Sequence, residues 1–295
     1  MRRPVAPLVV AYAPRLQAPT PSTMKQRHSS KRPSQTLPSP EISLHDSHNR
    51  AELADALVDA AQNAMQEELF EDAFDKFSNA LKFQEDNVSA MVGLGKIWLE
   101  YEEYHQALQI ANRALAIDQA NADAHELKAH ALRLTERYQD ALAEYDRALQ
   151  LNPRAFIALY GRAIAHDMLD QVDAALRDFR ECLAINPDFA FAYYDRGALY
   201  ANEGRWQKAV DDYARALKLD PQFVHGYVAR GAAFLELEQK HKALQDFNSA
   251  LELDPNNAEA FYYRAMTKES LGDRVGAAKD RKTAKKLGFD EQLDA

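Results

Sequence analysis

Two histidines, His125 and His130, bracket a glutamate in the run His-Glu-Leu-Lys-Ala-His, the residue types from which a zinc peptidase site is built. Such a site needs both imidazoles on one helical face, which a four-residue spacing delivers. Here the second histidine follows the first by five residues, which at 3.6 residues per turn turns it about 140° away. One ion cannot take both. The lone cysteine, Cys182, cannot make an internal disulfide and fits a reducing compartment. Its counterparts elsewhere in the chain are alanines, so a small buried side chain is expected there rather than a nucleophile. His166 reads as a core histidine. With 10 glycines in 295 residues there is no phosphate-cradling glycine loop. These residues predict no enzyme, no metal and no cofactor.

Other charged residues recur at fixed intervals. Arg162, Arg196, Arg230 and Arg264 are spaced evenly, and each is followed at one constant offset by Asp178, Asp212, Asp246 or Asp280. One period earlier the pair is Lys128 and Glu144, and one before that it is Leu94 and Ile110. The charges come and go together, as ion pairs joining two elements would, because a partly buried arginine is normally paired.

The elements that hold these residues repeat every 34 residues. Counted from Ala54, the twentieth place reads Ala73, Ala107, Ala141, Ala175, Ala209, Ala243 and Ala277. The twenty-seventh reads Ala80, Ala114, Ala148, Cys182, Ala216, Ala250 and Ala284, and the eighth is always alanine or glycine. Small residues at matched places let two antiparallel helices approach closely, with Phe77, Tyr145, Phe179, Tyr213 and Phe247 filling the gaps. Pro153, Pro187, Pro221 and Pro255 follow Asn152, Asn186, Asp220 and Asp254. That order predicts an Asx cap with proline opening the next helix.

This pattern resembles the tetratricopeptide repeat, most closely over Ala190 to Phe223 and Val224 to Asn257, where Tyr193, Gly197, Tyr200, Ala209, Tyr213, Ala216 and Pro221 stand at signature places. The outer repeats depart from it. Glu85, Gln119 and Phe289 replace the proline, and the lysines around Arg281 read as a solubilising cap. The resemblance implies an all-α, right-handed superhelical solenoid of about seven antiparallel helix pairs over residues 50–291. Residues 1–49 are then a disordered Pro/Ser-rich basic tail and 292–295 a short C-terminal tail.

The resemblance also implies a concave groove lined by the second, fifth, ninth, twelfth and thirteenth places of each repeat. In repeats one to three these places hold Asp55, Val58, Gln62, Val92, Lys96, Glu126, His130 and Arg133, a mixed polar surface without an obvious anchor. Later repeats present Tyr160, Asp167, Phe191, Tyr194, Asn202, His225, Glu236 and Tyr262, aromatic anchors edged by carboxylates. Such a lining suits an extended or helical peptide with apolar anchors and basic neighbours. Chaperone-binding members hold a C-terminal carboxylate with lysine, asparagine and arginine at fixed groove places. No asparagine stands at the corresponding fifth and ninth places here.

The expected function is therefore a protein-interaction scaffold or assembly adaptor. The alternatives are a regulatory or recruiting subunit of an enzyme complex, or a chaperone-type cofactor. Residues 1–50 carry eight Lys/Arg against two Asp/Glu, leaving 28 against 43 for the remainder, an acidic balance that argues against nucleic acid. No apolar run approaches the roughly 20 residues of a membrane-spanning helix. The expected compartment is cytoplasmic, with export or organelle import through residues 1–49, and a start at Met24 instead of Met1, as alternatives.

Overall fold

The computed structural model describes residues 47–289. Of the tail expected over residues 1–49, residues 1–46, with the targeting alternatives, lie outside them, as does the tail at 292–295. The described residues form fourteen helices and no strand. They come in pairs: α1 (Ser47–Gln66) with α2 (Phe70–Phe83), α3 (Val88–Glu100) with α4 (Tyr104–Ile117), and α5 (Ala122–Leu134) with α6 (Tyr138–Leu151); α7 (Phe156–Met168) and α8 (Val172–Ile185) follow in chain order. Then follow α9 (Ala190–Asn202) with α10 (Trp206–Leu219), α11 (Val224–Glu236) with α12 (Lys240–Leu253), and α13 (Ala258–Ser270) with α14 (Arg274–Lys286). The fold is an all-α solenoid of seven helix pairs. It divides within α8, after Ala175, into two compact units.

Each helix pair is closed by the same turn. The residue at the fifteenth place of every repeat takes a left-handed backbone: Glu68, Glu102, Glu136, Asp170, Gly204, Glu238 and Gly272. The next amide then bonds back five residues, as in Leu69 N to Ala64 O at 2.9 Å and Arg205 N to Tyr200 O at 2.8 Å. This is a Schellman closure, which satisfies carbonyls that the helix end leaves open. Glycine at 204 and 272 adopts the conformation without strain.

The Asx-Pro step does not act as expected. Asn152, Asp220 and Asp254 cap the C-termini of α6, α10 and α12, each helix ending one residue earlier. Their side chains accept from the amide two residues on, as in Asp220 Oδ1 from Gln222 N at 2.9 Å and Asp254 Oδ1 from Asn256 N at 3.0 Å. Proline thus sits in an Asx turn, where its fixed φ suits the bend, and the following helix begins three residues later. True asparagine N-caps occur one period apart at Asn87 and Asn121, and again at Asn257.

The expected aromatic fillers are the largest fully buried side chains: Phe77, Tyr145, Phe179, Tyr213 and Phe247. They press directly on first-helix backbone. A Cβ at Gly93 would lie 2.2 Å from Phe77 Cζ, and one at Gly231 would lie 2.6 Å from Phe247 Cε1, so glycine is required for this approach.

Candidate protein-interaction face

Within each unit, first helices of successive pairs touch: α1 with α3, α3 with α5 and α5 with α7 in one, α9 with α11 and α11 with α13 in the other. Among the described residues the second helices α2, α4 and α6 make no such contact with one another, nor do α10, α12 and α14. The face carrying the first helices is therefore the inner side of each unit.

In the C-terminal unit the inner side gathers aromatic rings. Phe223 lies 5.5 Å from Phe191, 4.8 Å from Tyr194 and 6.2 Å from His225, centroid to centroid. Phe223 is buried, while Phe191, Tyr194 and His225 remain partly exposed around it. Burial, helped by Asp195 and Glu259, raises the Tyr194 phenol well above its ordinary value. Burial lowers the His225 imidazole, with Asp254 opposing, and so favours its neutral form. Tyr262 stands apart, against Tyr263 at 5.5 Å and Phe289 at 4.6 Å. Asn202 and Glu236 are the last residues of α9 and α11. Burial, with Glu238 adding to it, raises the Glu236 carboxyl.

In the N-terminal unit the sequence placed Tyr160 and Asp167 on the groove. Tyr160 is 2% exposed, so its ring fills the core instead of presenting a surface. The reason lies in the fifth place, the edge of the first helix that packs inward, where Val58 and Val92 are buried as well. Asp167, near the end of α7, keeps partial exposure.

The same unit holds a polar group on α5. His125 Nδ1 meets Glu144 Oε2 at 2.6 Å, and Glu144 Oε1 accepts from Lys128 Nζ at 2.7 Å. His130 takes a different partner, the Tyr145 hydroxyl, at 3.3 Å from its Nδ1. Burial, and after it Arg133 and Lys96, pull His130 down to about 3, so the ring is neutral. Burial pushes Glu126 up to about 7, against Lys96 and with Asp123.

A carboxyl whose folded value lies above its unfolded one loses stability as pH rises from the unfolded value through the folded one. Glu126→Gln removes that loss. The variant should therefore exceed the parent at pH 8 by on the order of 2 kcal/mol, with the gain fading toward pH 4.5 in paired thermal melts. An equal difference at both pH values would contradict the assignment.

The periodic arginines serve the fold. Arg196 donates from Nε and Nη2 to the two carboxylate oxygens of Asp212, each at 2.7 Å, and Arg230 grips Asp246 in the same way. Arg264 grips Asp280 at 2.7 and 2.9 Å and reaches Asn248 at 2.9 Å, joining three successive helices. Tyr193 and Tyr200 flank Arg196, and Tyr227 and Phe234 flank Arg230. Each guanidinium is thus stacked as well as paired. Cys182 is buried, which pushes its thiol up to about 12. His166 is not the core residue expected: partly exposed, it pairs with Gln171 Oε1 at 2.6 Å beside the helix-closing turn.

Tetratricopeptide-repeat family models match residues 64–131, 126–188, 190–223 and 224–257, together more than half of the chain. The chain belongs to the tetratricopeptide-repeat family. The last two matches have the bounds of the two repeats whose signature is fullest in the sequence. Similar solved structures share the fold. A tetratricopeptide-repeat protein from Parabacteroides merdae is 19% identical, with 82% of this chain and 96% of that one covered and a TM-score of 0.56. PilF of Pseudomonas aeruginosa is 19% identical, with 74% and 99% covered and a TM-score of 0.65. YrrB, described as a tetratricopeptide-repeat protein with an unusual peptide-binding site, is 21% identical, with 62% and 95% covered and a TM-score of 0.51. No curated protein matches the chain.

Among the described residues, no helix of this tetratricopeptide-repeat protein is long and apolar enough to cross a membrane. Phe223, the hub of the aromatic group, was not among the site residues read from sequence. Its signal was an aromatic at the last place of a repeat, in the connection before α11, where a solvated loop would carry a polar residue.

Proposed function

We propose that the chain is a non-catalytic protein-interaction scaffold that holds a partner segment on the inner face of its first helices. Phe191, Tyr194 and His225, grouped on Phe223, are its central contacts, with Tyr262, Asn202 and Glu236 around them in the C-terminal unit; Asp167 is a separate contact on the first-helix face of the N-terminal unit. Tyr160, buried on α7, packs beneath the first-helix face of the N-terminal unit. The observation that carries this reading is the partly exposed aromatic group with carboxylates on the same face. Rigid aromatic rings with a buried support give large contact area at little entropic cost, the usual make-up of interface anchors. The peptide-binding site described for YrrB lends analogy of fold alone.

The favoured segment carries apolar anchors with Lys or Arg beside them. Selection of displayed 12-residue peptides on the full chain should enrich that composition. Phe191→Ala should weaken the selected peptides about 30-fold, the size of a 2 kcal/mol hot spot. Glu236→Lys should shift the enriched set away from basic residues. Peptides that bind the folded Phe191→Ala variant as tightly as the parent would refute this placement of the contact.

A further inference from the structure

The N-terminal unit buries a cation that the fold leaves uncompensated. Arg133 occupies the twelfth place of α5 on the inner face and is 9% exposed, and its Nε has no hydrogen-bond partner. Among the described residues no carboxylate forms an ion pair with it: Glu144 serves Lys128 and His125. The partly buried Arg196, Arg230 and Arg264 differ, since each holds an aspartate through Nε and Nη2. Glu126 does not supply the missing charge, lying seven residues back on the same helix, about 10 Å along its axis. A guanidinium taken out of water without a counter-charge is costly, and a buried donor without an acceptor calls for an explanation, of which an anion that arrives later is one.

A second cation stands nearby, with the raised Glu126 carboxyl beside it. Lys96, on α3, is exposed and close enough to lower the His130 imidazole together with Arg133. His130 is neutral and packs edge-on against Tyr145, whose hydroxyl also faces Arg133. The planar fork of Nε and Nη matches the two oxygens of a carboxylate.

We propose that Arg133, assisted by Lys96, is a receptor for the side-chain carboxylate of an Asp or Glu in a partner segment on the inner face of this unit. The site lies in the other unit from the aromatic group and does not depend on it. It also differs from a chain-end clamp in using a buried arginine at the twelfth place in place of lysine and asparagine at the fifth and ninth.

The test follows the Arg133 Nε–H resonance in the full chain labelled with 15Nε-arginine, assigned by its loss in Arg133→Lys. Four probes are titrated at matched ionic strength: the doubly capped peptide Gly-Ser-Glu-Ser-Gly, its glutamine counterpart, that counterpart with a free C-terminal carboxylate, and inorganic phosphate. A saturable shift with the glutamate peptide is expected, at least tenfold weaker or absent with the other three. In Lys96→Ala the same shift should need several-fold more peptide. Because the readout is taken on the parent chain, a folding defect in the Arg133 variant does not obscure it. A glutamate response no larger than the glutamine one would overturn the proposal. So would an equal or stronger response to the free chain end or to phosphate.

Discussion

Phe247→Ala lowers the stability of the chain by about 3–5 kcal/mol, the range for emptying a packed aromatic site. Phe247 is 0% exposed and stacks on Tyr263 at 5.7 Å with the rings 13° from parallel. Its edge lies against the backbone of α11 at Gly231, so the nearest wall of the cavity is main chain that cannot close in. Because repeat arrays couple mainly to their neighbours, the loss should be concentrated in α11, α12 and α13. Urea unfolding with hydrogen exchange reads both the size and the place. Val275→Ala, at a site 84% exposed, serves as the control and should change stability by less than about 0.5 kcal/mol. A loss under about 1 kcal/mol for Phe247→Ala would mean that the aromatic column does not hold the repeats together.

Asp212→Ala costs about 3 kcal/mol, because it strands Arg196 in a site where the two side chains are only 16% and 10% exposed. Burial works against the Arg196 charge, while the hydrogen bonds and charge of Asp212 outweigh it and raise the guanidinium. Removing one partner leaves that burial uncompensated. Replacing both, as Arg196→Met with Asp212→Leu, should recover most of the loss. The exposed pair Arg137 and Asp140 provides the contrast: Asp140→Ala should cost less than about 1 kcal/mol. Chemical denaturation of the three variants and the parent distinguishes these cases. Equal costs at Asp212 and Asp140 would show that the periodic pairs are surface decoration.

The helix pairs were legible because the physics behind them recurs seven times, and the charge pairs because both halves recur together in five successive repeats. Close helix approach demands small residues at the twentieth and twenty-seventh places, and any exception would open a void or a clash, so the columns are nearly invariant within the chain. Arg196 with Asp212 could be read for the same reason, since both halves repeat at one offset. The Asx-Pro step was misread because asparagine or aspartate before proline suits a helix start and an Asx turn equally well. What decides between them is where the preceding helix ends, at Leu219 before Asp220 for instance, a matter of main-chain geometry.

The site was less legible, since a place number gives a direction from the helix axis but not how far the neighbours reach. Tyr160 points inward at the fifth place and is covered, whereas Tyr194 at the same place stays partly exposed beside Phe223. Arg133 could be placed on the inner face from sequence. Its lack of a counter-charge could not, because every nearby carboxylate had to be located first.

The central claim, a partner segment held on the first-helix face, is tested most directly by hydrogen–deuterium exchange of the full chain with and without a peptide selected for binding it. Protection should appear in α9, α11 and the start of α13, around Phe191, Tyr194, His225 and Tyr262, with α10 and α12 unchanged. Protection confined to α10, α12 or α14 would contradict the account and move the interaction to the outer face.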